Sequence, residues 1–242
     1  AQALLAPLVE PAQAQQPGYA AGRREMRMLL RAKGMLHTMT NQPQKATETL
    51  QRLVEFNQAG LAAAPADAEA AIDLAGAYTT LAEVQLRYGE DHAKEAAPGL
   101  DSAEQLLARV LEAERDHRRA LREMGLVLLG KARLHLGHKQ GLNDPAKALE
   151  LRKQAHARYE RLLGLEPDNR QYASDFAKAS AMYADLLQDV GPAEQAIALK
   201  QRALGVGGAL PEVGEVHLAQ PQHLVQSHVD VGDGDVACFL LV

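Results

Sequence analysis

The 242-residue sequence contains no tryptophan, only three phenylalanines and one cysteine. Aromatic residues make up 4% of the chain, which argues against a β-sandwich or barrel, since those cores lean on aromatic and β-branched side chains. The lone Cys238 excludes a disulfide framework and a thiolate metal site. It is fifth from the end, one residue out of register for a prenylation box. No apolar run approaches the ~18 residues that a membrane-spanning helix needs, so no membrane span is expected and the chain is read as cytoplasmic. Lysine and arginine are absent before Arg23 and after Arg202. Residues 1–204 carry 26 bases and 26 acids, and the net charge of −5 arises from the five acids of the last 38 residues. A neutral body is a poor phosphate binder, so nucleic acid is not expected as a partner.

What is present is alanine, leucine and repetition. Asp67, Asp116 and Asp168 each open a stretch that closes on Gly89, Gly137 or Gly191, at distances of 22, 21 and 23 residues. The aspartates recur after 49 and then 52 residues. Such self-similarity is the mark of a stacked array of helical hairpins. Within these stretches the apolar residues fall three and four apart, as one buried helix face requires. Ile72, Ala75, Tyr78, Ala82 and Leu86 illustrate this, as do Leu121, Met124, Leu128 and Ala132, and then Phe176, Ala179, Tyr183 and Leu187. Aspartate suits the cap of a helix start, and glycine suits a left-handed residue at its end.

These stretches are expected to be the first helices of their hairpins. Second helices are expected from Asp144-Pro145 through about Leu165, from Gly191-Pro192 through about Leu204, and from Asp101-Ser102 to near Arg115. Residues 24–39 and 43–63 supply a less regular hairpin upstream. Long charged loops are expected over residues 89–101 and 137–144. The fold expected is therefore all-α, a right-handed solenoid of about four antiparallel helical hairpins. Residues 1–22, rich in Pro, Gln and Ala, read as a linker, and residues 23–204 as the repeat domain. Residues 205–242 hold eight valines against six in all that precedes them and are broken by Gly and Pro. They read as a disordered or non-native tail, with a small β element as the alternative. A chain that starts at Ala1 reads as a fragment or a processed product.

A shorter pattern lies inside the hairpins: Leu81-Ala82-Glu83 before Gly89, Leu129-Gly130-Lys131 before Gly137, and Tyr183-Ala184-Asp185 before Gly191. Small residues follow on the second helices (Ala46, Ala148, Ala196), and Pro65-Ala66-Asp67 and Pro167-Asp168-Asn169 mark helix ends. This resembles the tetratricopeptide repeat, with a period near 50 in place of 34. The surplus is expected in lengthened first helices and in the loops inside each hairpin. Arrays of such long period are similar to the repeat regions that follow the catalytic domain in some bacterial serine/threonine kinases and other signalling proteins. The resemblance implies a scaffold that binds a peptide or helix of a partner protein in a concave groove. It also leaves open a regulatory or self-association region of a larger signalling enzyme. By the repeat's pattern the groove-facing positions are Glu83, Arg87, Lys131, His135, Lys178 and Asp185, a polar set of mixed sign.

Arginine stripes at Arg23, Arg24, Arg27 and Arg31, and at Arg118, Arg119 and Arg122, could clamp a carboxylate or phosphate. The plainer reading is a solvated face paired with Glu25, Glu114 and Glu123. His135-x-x-His138 with Asp144 is the best metal candidate, but Gly137 would splay the two rings, and a helical metalloenzyme is the remote alternative. No nucleophile elbow, kinase loop or phosphate-binding loop occurs in the sequence, so neither catalysis nor a cofactor is expected.

Overall fold

The computed structural model describes residues 19–88, 90–136 and 143–207. Among them are eight α-helices and no strand: α1 (Tyr19–Met39), α2 (Pro43–Ala63), α3 (Ala68–Arg87), α4 (Glu90–Ala113), α5 (Arg118–His135), α6 (Pro145–Leu165), α7 (Arg170–Val190) and α8 (Ala193–Gly207). Each helix packs on the next in sequence, and α3 also packs on α1 and α5. None of the eight is long and apolar enough to cross a membrane.

The apolar faces predicted from spacing are the faces that are buried. Ile72, Ala75, Leu121, Phe176 and Ala179 are almost wholly enclosed, as are the small residues Ala46, Ala148 and Ala196. Small residues allow the closest helix approaches, because helix spacing is set by the side chains at the crossing. A Cβ at Gly125 would lie 2.5 Å from the Tyr159 ring, so α5 and α6 can touch there only through glycine. The Tyr159 hydroxyl, raised in pKa by burial, donates to the Arg122 carbonyl at 3.4 Å.

Several local expectations are corrected. The first helix begins at Tyr19, five residues before Arg24, because Gly22 and Arg23 are buried on α2. The Arg23 guanidinium donates to the Phe56 carbonyl (2.7 Å) and lies 4.1 Å over the Phe56 ring, which removes it from the arginine stripe. No long loop precedes Asp101, since α4 starts at Glu90 and runs through Pro98. A proline there removes one backbone bond. Yet Ala96, Leu100, Ala103 and Leu107 form a single buried face that only a continuous helix can present. The Ser102 hydroxyl donates to the Pro98 carbonyl (2.9 Å) at this irregular turn. The stretch expected as a loop is therefore helix, and α4 at 24 residues is longer than α3 at 20.

The helix caps shift in register. Asp67 caps α3, accepting from the Glu69 N–H at 2.9 Å. At the next two junctions the cap is one residue later, His117 for α5 and Asn169 for α7. Each of the three caps follows the same turn, in which its N–H donates to the carbonyl three residues back (Ala64, Glu114, Glu166). The structural recurrence is thus 67, 117 and 169. Asp116, freed from capping, accepts from Arg161 at 2.7 Å. Asp144 caps α6 as expected, accepting from the Lys147 N–H at 2.9 Å.

Gly191 is extended (φ −139°, ψ −164°) rather than left-handed. Pro192 follows it directly, which disfavours helical backbone at the preceding residue. The left-handed non-glycine positions are instead Asn41 and Asn143. Gly89, Gly137 and His138 lie outside the described residues, as do residues 1–18 and 208–242. Helix α8 itself passes three residues beyond Leu204.

Candidate functional site

Three clefts follow one another across the odd-numbered helices. The first, of about 500 Å³, lies between α1, α3 and α5 and is lined by Arg24, Arg27, Arg31, Asp73, Arg119 and Glu123 among others. The second, of about 410 Å³, shares Arg31 and Glu123 with the first. Its walls are more apolar, with Leu86, Leu100, Leu126, Leu129 and Met182. The third, of about 490 Å³, shares Arg152 and Met182 with the second and is bordered by His135, Asp185 and Asp189. The shared wall residues set the three clefts side by side from α1 to α7, and together they are termed the groove.

The groove face of α5 reads Arg119, Glu123, Leu126, Gly130 and Arg133, at spacings of four, three, four and three. On α3 it reads Glu69, Asp73, Gly76, Thr80 and Glu83. These are helical stripes, one residue per turn.

Asp73 is the electrostatic centre of the first cleft. It pairs with Arg27 of α1 and, at 2.8 Å, with Arg119 of α5, so one carboxylate ties three helices together. Burial pushes its pKa up and the nearby Arg27 charge opposes the shift. Arg119 also pairs with Glu69, and burial lowers its own pKa. Arg24 and Arg31 have no carboxylate partner among the described residues.

Two buried atoms of the second cleft's walls have unmet hydrogen bonds. Glu123 Oε2 accepts nothing and Arg152 Nε donates to nothing among the described residues. Arg152 makes one contact through Nη1, to the Met182 carbonyl. Burial lowers its pKa, against the pull of Asp185 and Asp189. A buried polar atom without a partner costs about 1–3 kcal/mol.

Of the residues singled out from sequence, Glu83, His135 and Asp185 line the groove. Arg87 and Lys178 are exposed and line none of the three clefts. Arg122 points to α7, where it donates to Asp175 at 2.6 Å. Burial works against its charge, but the Asp175 bond more than restores it, and the pKa rises. Lys131 faces α4, bonded to Asp101 (2.7 Å) and Glu104 (2.5 Å). Those two bonds outweigh its burial and raise its pKa as well. Both residues sit one position from a groove residue, Glu123 and Gly130, and one position is 100° of helix rotation.

Arg27, Arg31 and Arg119 from the stripes do line the groove, whereas Arg118 pairs with Glu166 at 2.6 Å. Asp73, Glu123, Arg133 and Arg152 were missed. The signal that could have found the first two is the three-and-four stripe of polar residues on α3 and α5, opposite the apolar stripe.

The only close Ser–His contact described joins Ser180 Oγ and His156 Nδ1 at 3.1 Å. The Ser180 hydroxyl is fully buried and donates to the Phe176 carbonyl at 2.7 Å, so the imidazole is its donor and not its base. Among the described residues no group of three His, Cys, Asp or Glu could hold a metal ion. Compared with known proteins, the chain matches no family model and no curated protein.

Proposed function

We propose that helices α1 to α8 form a right-handed solenoid of four antiparallel hairpins, similar to the tetratricopeptide repeat. In this reading it acts as a non-catalytic scaffold that binds a peptide or helix of a partner protein. Packing of each helix on the next supports the hairpins, and packing of α3 on both α1 and α5 supports their stacking. The observation that carries the functional reading is the continuous groove across α1, α3, α5 and α7, with Arg24 and Arg31 uncompensated and two buried polar atoms unmet. A preformed groove of this kind binds with little ordering of the receptor. The same groove would serve a larger signalling protein as its regulatory region.

The test is a selection from a random peptide library on the purified chain, followed by affinity measurement with charge-reversed variants. Arg31→Glu and Glu83→Arg alter exposed groove residues and should leave the fold intact. Selected peptides should bind the double variant at least ~10-fold more weakly, a loss of about 1.4 kcal/mol. Equal binding to both proteins would remove the groove from consideration.

A further inference from the structure

The groove is not electrically uniform. Four arginines line its first cleft (Arg24, Arg27, Arg31, Arg119) against three carboxylates (Glu69, Asp73, Glu123). Asp73 is taken by Arg27 and Arg119, and Glu69 by Arg119, so Arg24 and Arg31 stand at this end against Glu123 alone, a net of one positive charge. The third cleft lacks this positive excess, with Arg152 against Asp185 and Asp189. Asp185 also bonds Lys200 at 2.9 Å, which leaves Asp189 the more open of the two. Helix ends reinforce the same polarity. Glu69 and Arg119 of the first cleft lie in the first turns of α3 and α5, where the macrodipole is positive. His135 and Asp189 of the third lie in the last turns of α5 and α7, where it is negative. Between the two ends stands the most apolar stretch, walled by Leu86, Leu126, Leu129 and Met182, with the unmet Glu123 Oε2 and Arg152 Nε at its borders.

Resting on the groove as the binding site, we infer that its occupant is a dipolar peptide segment held in one orientation. Its acidic end lies against Arg24 and Arg31 on α1, its apolar centre over the second cleft, and its basic end against Asp189 on α7. The centre supplies affinity by burying apolar surface. The ends supply direction, because a reversed segment would place like charges together at both.

The experiment uses four synthetic peptides with one Leu-Ala-Leu-Leu centre: acidic at one end and lysine-bearing at the other, acidic at both, lysine-bearing at both, and uncharged at both. Affinities for the full chain are measured at low and high salt. A nitroxide on either end of the dipolar peptide then reports position through broadening of assigned amide signals. The dipolar peptide should bind ~10-fold or more above the others, with the advantage shrinking in high salt. A label on its acidic end should broaden residues 24–31, and one on its lysine end residues 182–190. Arg24→Glu with Arg31→Glu should abolish the preference while apolar binding persists.

If all four peptides bind groove residues equally, or either label broadens both ends alike, the polarity inference is overturned and the groove stands. If none of them perturbs any groove residue, the groove reading itself fails and takes the inference with it.

Discussion

Helices α4 and α8 each pack on the helix that precedes them, yet they are buried very differently. Helix α4 runs 24 residues and buries Ala96, Leu100, Ala103, Leu106, Leu107, Val110 and Leu111 between α3 and α5. Helix α8 runs 15 residues, its buried apolar residues are two alanines, Ala196 and Ala203, and Ile197 and Leu204 are left largely exposed. Even the core divides here: Ala184, Leu187 and Ala196 form a small cluster beside the large one whose buried residues run from α1 to α7, and α8 sets only the half-buried Val206 against that large one. In a stacked array each unit is stabilised by its neighbours, and α8 packs chiefly on one side. The middle should therefore unfold as one body, and α8 should open first.

The largest effect should come from breaking the middle. Leu107→Ala removes a fully buried side chain of α4 and should cost about 3 kcal/mol, lowering the whole urea transition. Leu187→Ala, in the small cluster, should instead speed amide exchange in α7 and α8 before any change in α3–α6. Equal loss of protection everywhere would erase the distinction between the two regions.

Gly125→Ala should come next, at about 1–3 kcal/mol, because its Cβ must displace the buried Tyr159 ring that seals α5 on α6. The thermal midpoint should drop accordingly, and Gly164→Ala, where a Cβ meets nothing, should leave it unchanged or raise it.

A pH effect should single out the C-terminal region. His156 of α6 packs against Phe176 and Tyr183 of α7, and burial lowers its pKa from the ordinary 6.5. Its folded form thus binds a proton less readily than its unfolded form. The stability it contributes is present above the unfolded value and is lost as pH falls below it toward the folded one. Protection factors in α7 and α8, taken relative to the intrinsic exchange rate at each pH, should fall between pH 7 and 5, and His156→Gln should flatten that dependence. A dependence unaltered by the substitution would place its source elsewhere.

The smallest effect should be that of Lys131→Ala. Its bonds to Asp101 and Glu104 are partly solvent-exposed and should contribute no more than ~1 kcal/mol, read from denaturant midpoints at low salt.

The buried half of this molecule was legible because apolar spacing writes it directly: Ile72, Leu121 and Phe176 were all identified from the three-and-four rhythm. Helix boundaries set by tertiary contact were not. Pro98 reads locally as a stop, and only the burial of Ala96 and Leu100 on α3 explains a helix that passes through it. Of the residues read as groove-facing, Glu83 and Asp185 line the clefts, while Lys131 and Arg122 face α4 and α7. Polar residues tolerate either neighbouring position, so nothing in their own pattern fixes the phase. Arg152 was invisible for a different reason, since it reaches the clefts from α6, whereas the groove positions read from the repeat all fell on α3, α5 and α7.

The central claim is that the odd-numbered helices carry the binding face. Hydrogen–deuterium exchange with a library-selected peptide bound tests it most directly. The account predicts protection confined to residues 24–31, 69–86, 119–136 and 182–190. Protection centred instead on the outer stretches of α2, α4 and α6, with the odd helices unchanged, would contradict it.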